Sequence, residues 1–586
     1  SSNVALAPGR PVEGPATNWL RKLTPLAPGP PGVTMTVPAR WSATRARWRT
    51  SASATIAPLG EWRSSGTSSV AQSSPARSAA AHGTHVSAAA RSRLVVVVLA
   101  VRVVVGRVVV LLRAVESARE PSVCCAAAHA QVTAIATRRP ALTTVRTWTR
   151  GNTVGKGRGP TLANVRTFTS GLSIGGTTVV RNRLYRAPVL EGAGDGPQAA
   201  SRYARHFVAN ARSGVGLIIQ GSACLAREGR TSPGMTCVHE RERVMALAPM
   251  VDAVHEQGAA IWLQVGHGGV FAMEAWHEPY ASRRVDPIWA VSSPRGSSRV
   301  ALRGVPTKVL STNDVEELIT QYGRVASWAR EAGYDGIQLA SANAKLLDQF
   351  LSPFYNRRED EFGGSARGRA EILRRIRESV AREAGADFTC TVKVPIAESG
   401  PPWAKRTSWD DGVQLARWCE EWGFDAVTPV HVSIFPDATL TKGGVPWSLW
   451  RNPSMKSRFE KALPSRWRRG VIGAGYVAGG ATARFAPVWN RSRVEATKAA
   501  VKIPVFAVGG IRTVAEADGL LDSGAADMVG IGRPFYAEPD LAVRFVDGDD
   551  TPRRCRNSNR CVPAQMLGMK GVCYHPDVVR SSAREG

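Results

Sequence analysis

The chain changes character near residue 165, and only the part after that point has a regular pattern of apolar and polar positions. There, short apolar runs rich in β-branched residues alternate with amphipathic segments whose apolar residues recur at helical spacing. The clearest amphipathic segments, 315–332 and 367–383, predict helices. The apolar runs predict eight strands, at 183–187, 215–221, 259–265, 335–340, 388–394, 425–430, 504–508 and 527–531.

Apolar strands separated by helices indicate a parallel sheet that is covered on both faces. Eight such units predict an α/β protein with a (β/α)8 TIM barrel over 165–575 and a short tail over 576–586. The core of such a barrel needs about 250 residues, so the remainder would be insertions. A doubly wound open sheet is the alternative, and it is weakened because no GxGxxG turn follows an early strand.

Residues 1–160 lack this pattern. They are rich in Arg, Ala, Ser and Val and contain no Asp. The most apolar stretch, 94–112, includes Arg102 and Arg107, which offset the gain from its Leu and Val in a membrane helix; a Val-rich strand is the other interpretation. We expect 1–160 to be disordered or an artefact of the gene model.

Charge is distributed as unevenly as hydrophobicity. The chain has 76 Lys and Arg against 47 Asp and Glu, a net charge of +29 that is typical of proteins binding polyanions. Residues 1–160 hold 21 of the basic and 4 of the acidic residues. Binding of nucleic acid or membrane is therefore an alternative function of 1–160, and we expect neither for the barrel. The chain has nine cysteines, and the scattered placement of Cys224, Cys237, Cys390 and Cys419 favours a reducing, cytoplasmic location over a disulfide framework.

The ends of the last two predicted strands carry candidate binding residues. The seventh strand runs into Gly509 and Gly510, and the eighth runs into Gly532 and Arg533. Backbone N–H groups of glycine loops after strands seven and eight, together with a guanidinium, suit a phosphate group. Tight turns that need glycine are the alternative explanation.

Six motifs in one order give the chain a resemblance to a known family. Residues 165–575 resemble the Old Yellow Enzyme family of NADH:flavin oxidoreductases, which includes ene-reductases and 2,4-dienoyl-CoA reductases. The resemblance implies FMN bound noncovalently at the barrel mouth, with hydride passing from NAD(P)H to an activated alkene. The motifs are 182–188 (NRLYRAP), 214–229 (GVGLIIQGSACLAREG), 264–269 (QVGHGG), 347–365 (LDQFLSPFYNRREDEFGGS), 508–513 (VGGIRT) and 529–534 (VGIGRP).

The family's flavin contacts carry over to most matching positions. The resemblance implies that Pro188, Gly221 and Ser222 lie beneath or beside the flavin ring. It also implies that the amide of Gln264 reads the pyrimidine edge of the ring. Lys393 stands where the family usually has Arg; it keeps a positive charge near the flavin but lacks the two-pronged guanidinium.

The departures from the family lie where the substrate would bind. The family's fourth strand commonly ends with a His, a second His or Asn, and a Tyr that donates a proton. Here Ala340 replaces the first His and Lys345 replaces the Tyr, whereas Asn343 is retained. Lys345 would donate the proton, hold an anionic substrate or face solvent. Three further side chains are candidate proton sources: His267, Tyr280 and His431.

Two more segments depart from the family pattern. Relatives of the dienoyl-CoA reductase type hold an iron–sulfur cluster with four cysteines, but Ser558 replaces the second one here, so we expect no cluster. A zinc site built from Cys555, Cys561, Cys573 and His575 is the alternative. The basic insertion 456–488 would be a substrate lid or surface packing, and its GAGYVAGG resembles a phosphate-binding loop.

Together these features predict an FMN-dependent NAD(P)H oxidoreductase that reduces an enone- or enoate-type alkene or a related electrophile. Because Ala340 and Lys345 replace the usual His and Tyr, a flavin-binding barrel with weak or different reductase activity is the alternative. A homo-oligomer is compatible with the sequence.

Overall fold

The computed structural model describes residues 96–104, 107–115, 166–273, 276–282, 286–295, 299, 302–434 and 441–585. The chain divides into two units, 1–149 and 150–586. In the first unit, Val96–Val104 and Arg107–Val115 pair as antiparallel strands, so the apolar stretch forms strands and not a helix. The disorder predicted for the rest of 1–160 falls outside the described residues.

The second unit contains the predicted barrel. Its eight parallel strands, β1 to β8, form one sheet in which each strand neighbours the next in the chain. The sheet closes where Val427 of β6 bridges to Val505, just before β7, and the N–H of Val427 donates to the carbonyl of Pro504 at 3.0 Å. The strands are Leu184–Arg186, Leu217–Cys224, Ala260–Gly266, Gly336–Leu339, Thr389–Ser399, Ala426–Ser433, Phe506–Val508 and Met528–Ile531. The (β/α)8 fold is thereby confirmed.

Eight helices, α1 to α8, follow the strands in turn. They are Ala199–Arg212, Ala248–His255, Thr312–Glu331, Ala366–Ala384, Trp409–Glu421, Arg491–Lys498, Val514–Leu521 and Leu541–Val546. The two helices predicted from spacing are α3 and α4. Helix α3 begins at a capping box, in which the Ser311 hydroxyl accepts from the backbone N–H of Asp314 and the Asp314 carboxylate accepts in return.

Shorter elements decorate this framework. The extra helices are Arg241–Met245, Glu278–Ala281, Leu346–Leu351, Ser448–Arg451, Pro453–Ala462, Arg466–Thr482, Val562–Met566 and Pro576–Glu585. Single 3-10 turns are Thr167–Thr169, Arg227–Gly229, Gly269–Phe271 and Arg533–Tyr536. Two small strand pairs are Leu172–Ile174 with Thr178–Val180, and Ile288–Ala290 with Thr307–Val309.

The strand pair Leu172–Ile174 with Thr178–Val180 covers the N-terminal end of the barrel. The indole N–H of Trp262 donates to the hydroxyl of Thr178 at 2.9 Å, and that hydroxyl in turn donates to the backbone of Asp335. The rings of Tyr185 and Trp262 both pack against Phe506 inside the barrel. With this end filled by apolar side chains, only the C-terminal ends of the strands are left to form a site.

Strand β5 runs five residues past its predicted end at 394. The proline at 395 has no N–H to donate, and the pairing with β6 shifts register between Pro395 and Glu398. Ala397 adopts a left-handed conformation at φ 63° within this bulge. The bulge lets the strand resume pairing at Glu398, which a sequence pattern broken by proline does not predict.

The structure corrects one expectation about the C-terminal half. The GAGYVAGG segment lies inside the helix Arg466–Thr482, so its backbone N–H groups belong to a helix and it is not a phosphate-binding loop. The preceding helix packs Met455 and Phe459 against Ala564 of the C-terminal segment. The final residues are helical, and Val578 is buried there, so the tail is docked on the barrel.

The cysteine-rich end does not form the alternative zinc site. Cys555 packs with Ala537 and Val578, with Cys573 against the same cluster. Within the described ranges, no group of three or more His, Cys, Asp or Glu side chains is arranged to hold a metal ion. Nor does any helix described here combine the length and the apolar composition needed to cross a bilayer.

A buried ion pair fixes the segment that leaves β1. The guanidinium of Arg186 lies 2.7 Å from the carboxylate of Glu191, and both side chains are 1% exposed. Arg186 also stacks over the ring of Phe207 at 4.9 Å, and the carbonyl of Glu191 accepts from the N–H of Gly571 at 2.8 Å. Burial raises the pKa of Glu191, so the carboxylate depends on Arg186 to remain charged.

We expect Arg186→Met to destabilise the barrel by about 3–5 kcal/mol, because it leaves the Glu191 carboxyl buried without its partner. Urea unfolding followed by tryptophan fluorescence measures this change. Arg186→Met combined with Glu191→Leu should recover much of the loss, and Arg367→Met, which breaks the exposed pair with Glu421, should have little effect. Equal destabilisation by Arg186→Met and Arg367→Met would contradict this account.

Candidate active site

A row of amide side chains crosses the interior of the barrel below its open end. Gln264 of β3 and Gln338 of β4 are register partners, and the amide nitrogen of Gln264 donates to the amide oxygen of Gln338 at 2.7 Å. Gln338 in turn donates to the hydroxyl of Thr428 on β6 at 3.4 Å. These side chains are buried, so the orientation of the Gln264 amide is set by its neighbours.

Lys393 lies closer to the open end, on β5. Its residue pairs with Thr428, two positions beyond the Thr391 that pairs with Gln338, so its side chain also faces the interior. Burial, together with the positive charge of Lys345, lowers the pKa of Lys393 to about 8. Among the described residues, no carboxylate forms an ion pair with Lys393.

Lys345 supplies the second ammonium group at this end. It immediately precedes the short helix Leu346–Leu351, and its Nζ donates to the hydroxyl of Thr231 at 2.9 Å. Thr231 is buried in the loop that follows β2. Burial lowers the pKa of Lys345 to about 8, and in the described part of the chain its ammonium also has no carboxylate partner.

His267 lies in the same electrostatic environment. The ring is fully buried and stacks on Trp289 with centroids 4.5 Å apart, and Nδ1 accepts from the N–H of Gly269 at 3.0 Å. Burial, together with the charge of Lys345, lowers the pKa of His267 to about 3. The imidazole is therefore neutral and protonated on Nε2, and that buried N–H has no partner within the described ranges.

The remaining predicted catalytic residue lies outside this cluster. Asn343 is exposed and, with Ala344, adopts left-handed backbone conformations at φ 60° and 57°. The other candidate proton sources have partners of their own: Nδ1 of His431 lies 3.2 Å from a guanidinium nitrogen of Arg493, and the Tyr280 ring lies below Arg230. The structure thus brings Lys345, Lys393 and His267 within electrostatic range of one another and leaves Asn343 exposed to solvent.

Small residues allow the chain to pack closely at the ends of β2, β3 and β4. A Cβ placed on Gly266 would lie 2.8 Å from the Cβ of Ala340 and 3.1 Å from the hydroxyl of Ser222. That hydroxyl is buried and has no hydrogen-bond partner among the described residues. A Cβ on Gly221 would lie 1.8 Å from the carbonyl of Val189, so this glycine lets the segment after Pro188 cross the end of β2.

The predicted phosphate-binding residues occupy the opposite side of the mouth. Gly509 and Gly510 have φ of 121° and 85°, and a Cβ on either would lie 2.8 Å from the ring of Trp489. The turn therefore needs glycine both for its conformation and for its contact with Trp489. Next to Gly532, the guanidinium of Arg533 donates to the side chain of Asn559 and to the backbone carbonyls of Thr441 and Lys442.

The donors at the mouth suit the ring of FMN better than its phosphate. The flavin ring presents carbonyl oxygens and ring nitrogens, and the cluster offers two ammonium groups, the Nε2–H of His267 and the unpartnered hydroxyl of Ser222. A phosphate would have to draw Arg533 away from one of its three acceptors. The residues present therefore fit the group at the ring end, with the phosphate end less open than the motifs predict.

Sequence reasoning did not find three residues that shape this site. Thr231 accepts a hydrogen bond from Lys345 but lies in a loop without a recognisable motif. Gln338 accepts a hydrogen bond from Gln264 but looks like an ordinary strand residue in the sequence. Trp489 lies against the glycine turn from the end of the insertion. Strand alternation applied to β4 would have placed Gln338 inside the barrel, but no local signal points to the other two.

Comparison with known proteins agrees with this architecture. The chain is 28% identical over 418 residues to an NADH oxidase of Thermoanaerobacter brockii, covering 68% of this chain and 56% of the relative. It is 25% identical over 419 residues to a 4,4'-dithiodibutanoate disulfide reductase of Rhodococcus erythropolis, covering 70% and 96%. The chain spans about half the length of several curated relatives.

Solved structures and a family profile complete the comparison. A 2-naphthoyl-CoA reductase in complex with 2-naphthoyl-CoA shares the fold at a TM-score of 0.56 and 17% identity, over 71% of this chain and 58% of that one. The profile of the NADH:flavin oxidoreductase / NADH oxidase family matches residues 170–484, more than half of the chain. The resemblance to Old Yellow Enzymes is thus confirmed, and the chain belongs to the NADH:flavin oxidoreductase / NADH oxidase family.

Proposed function

We propose that this protein is an FMN-dependent oxidoreductase that takes hydride from NAD(P)H and passes it to an electrophilic alkene of the enone or enoate type. The observation that carries the proposal is the pair of ammonium groups, Lys345 and Lys393, at the barrel mouth. Neither has a carboxylate partner in the part of the chain that is described, and both are largely removed from water. Such a site favours an electron-rich ligand that increases in negative charge during the reaction.

On the cofactor side, Gln264, Ser222 and Lys393 would hold the ring of FMN, with Pro188 and Gly221 shaping the wall beside it. Gly509, Gly510, Gly532 and Arg533 would hold the phosphate. When bound, FMN supplies a two-electron carrier that accepts and returns hydride. Lys393 would favour the reduced, more electron-rich state of the ring, because its charge lies inside a poorly solvated barrel.

On the substrate side, the Lys345 ammonium would polarise the acceptor oxygen and donate the proton, held in place by Thr231. His267 would contribute only a hydrogen bond from its neutral Nε2–H, since its pKa of about 3 excludes a positive charge. Asn343 would contact the acceptor from the rim. Ala340 stands where the family pattern has a His that donates a hydrogen bond to the substrate oxygen. The second candidate function is therefore a flavin reductase that transfers hydride to alkenes slowly or reduces a different acceptor.

The location we propose is the cytoplasm. Seven cysteines in the described part of the chain are free thiols, which suits a reducing compartment. Nucleic-acid or membrane binding through residues 1–160 concerns a segment that is mostly outside the described residues, and it stays a prediction.

The flavin half of the proposal is tested by titrating FMN into the purified chain. We expect saturable binding with visible flavin absorbance that NADH or NADPH bleaches, and a protein that takes up no FMN would contradict the proposal.

Lys393→Met should make the midpoint potential of bound flavin about 30–60 mV more negative, because a nearby positive charge is lost. Lys308→Met, which removes an exposed lysine paired with Asp314, is the matched control and should leave the potential unchanged.

The substrate half is tested by mixing bleached enzyme with an enone and following the return of flavin colour. We expect Lys345→Met to slow this step about 10²-fold, while bleaching by NAD(P)H changes little. In the wild type the step should slow as pH rises through about 8, because the ammonium loses its proton there. Lys345→Tyr, which restores the family's residue, should move that loss to higher pH.

Unchanged alkene reduction in Lys345→Met would remove Lys345 from the mechanism. An unchanged pH profile in Lys345→Tyr would show that another group controls the proton. Because bleaching is measured in the same samples, a variant that merely fails to bind FMN is recognised.

A further inference from the structure

Two cysteines meet beside the barrel mouth although twelve residues separate them in the sequence. Cys224 is the last residue of β2, and the loop that follows returns so that Cys237 runs alongside it. The N–H of Cys224 donates to the carbonyl of Thr236 at 2.7 Å, and the N–H of Val238 donates to the carbonyl of Cys224 at 2.8 Å. Residues paired in this way lie about 5 Å apart at Cα, which is within the range that a disulfide spans.

The two thiols are in direct contact. Cys224 and Cys237 are 0% and 1% exposed and pack together with Met235, and the Cys224 thiol donates to the carbonyl of Ala226 at 2.7 Å. Both are free thiols, so the contact is that of a reduced pair. Their backbones are already held together by the bridge, and joining the sulfur atoms requires little rearrangement.

The surroundings make the two thiols unequal. The contact with Cys224 and the neighbouring His239 lower the pKa of Cys237 below its usual value, with help from the charge of Arg230. Burial, together with the negative charge of Cys237, raises the pKa of Cys224. One sulfur is therefore prepared to attack an oxidant as a thiolate, and the other keeps its proton.

The same barrel contains an internal comparison. Cys390 of β5 and Cys419 of α5 are equally buried, but burial raises the pKa of both, to about 12 for Cys390. Burial alone therefore does not produce a thiolate in this protein. The difference lies in the hydrogen bonds and the positive charge around Cys237.

We propose that Cys224 and Cys237 form a redox-active dithiol that hydrogen peroxide converts to a disulfide. The Cys237 thiolate attacks one oxygen of the peroxide, the O–O bond breaks, and hydroxide leaves to give a sulfenic acid. The sulfur of Cys224 then attacks the sulfenic sulfur, forming the S–S bond and releasing water. Overall, two thiols lose two electrons and two protons while the peroxide becomes two waters. Because Cys224 and Cys237 are buried, a small oxidant such as hydrogen peroxide suits the pair better than a large one.

The loop between the two cysteines connects the pair to the candidate active site. It carries Thr231, which holds the Lys345 ammonium, and Gly229, where an added Cβ would lie 2.1 Å from the ring of His267. A disulfide would close this loop covalently. The oxidation state of the pair is thereby coupled to the loop that positions Lys345, whether or not the proposed alkene reduction is correct.

Peptide mapping of the full, folded chain tests the proposal. The chain is treated with hydrogen peroxide, its accessible thiols are alkylated, and it is then unfolded, alkylated again with a second reagent and digested with trypsin. Arg227 and Arg230 separate the two cysteines, so a disulfide gives a cross-linked peptide pair that is two hydrogens lighter. We expect this cross-link, with Cys237 oxidised at least about tenfold faster than Cys390.

Single-residue variants distinguish the attacking cysteine from the one that forms the disulfide with it. Cys237→Ser should abolish the reaction, whereas Cys224→Ser should leave a sulfenic acid on Cys237 that dimedone traps. Cys419→Ser is the matched control and should leave the cross-link unchanged. If a variant does not fold, the wild-type digest still decides. Cys224 and Cys237 remaining separately alkylated at peroxide doses that oxidise Cys390, or a cross-link between other cysteines, would overturn the proposal.

Discussion

Two ammonium groups share one end of the barrel without a carboxylate to balance them, and this imbalance governs the chemistry of the site. Both lysines have a pKa of about 8, well below the ordinary value, because burial disfavours the charged form. Between pH about 8 and the ordinary lysine pKa, the folded chain binds fewer protons than the unfolded chain, so stability rises with pH across that window. Below it, the protein bears the full cost of two buried charges. An anionic or electron-rich ligand would offset that cost, and among the described residues no carboxylate forms an ion pair with either lysine.

Elsewhere the barrel interior is packed with apolar side chains, and the buried charge near β1 is paired. The strand pair Leu172–Ile174 with Thr178–Val180, together with Trp262 and Phe506, fills the opposite end. Arg186 and Glu191 show the contrasting solution, a buried charge that is paired. The lysines therefore lie unpaired in a framework whose other buried charge near β1 is balanced, which is typical of a binding site and not of a structural ion pair.

Much of the fold can be predicted from the sequence, because apolar residues recur at different intervals in strands and in helices. The eight strands appear where the apolar runs predict them. The interior positions of Gln264 and Lys393 follow from strand alternation once β3 and β5 are known. The Thr231–Lys345 contact could not be predicted, since it joins two loops and depends on tertiary packing. The prediction from GAGYVAGG was wrong: its glycines resemble a phosphate-binding loop, yet the segment is helical. The three contacts of Arg533 depend on loops whose positions no local pattern encodes.

Inside the barrel, both lysines titrate near pH 8. The most direct measurement is NMR of protein labelled with ¹³C at the lysine ε-carbons, titrated from pH 6 to 11. Lys345→Met and Lys393→Met would assign the two signals. We expect two resonances with midpoints near 8 while the other lysines titrate close to their ordinary value, and removing one lysine should raise the midpoint of the other. Two lysines that titrate together with the exposed ones, at about 10.5, would contradict it.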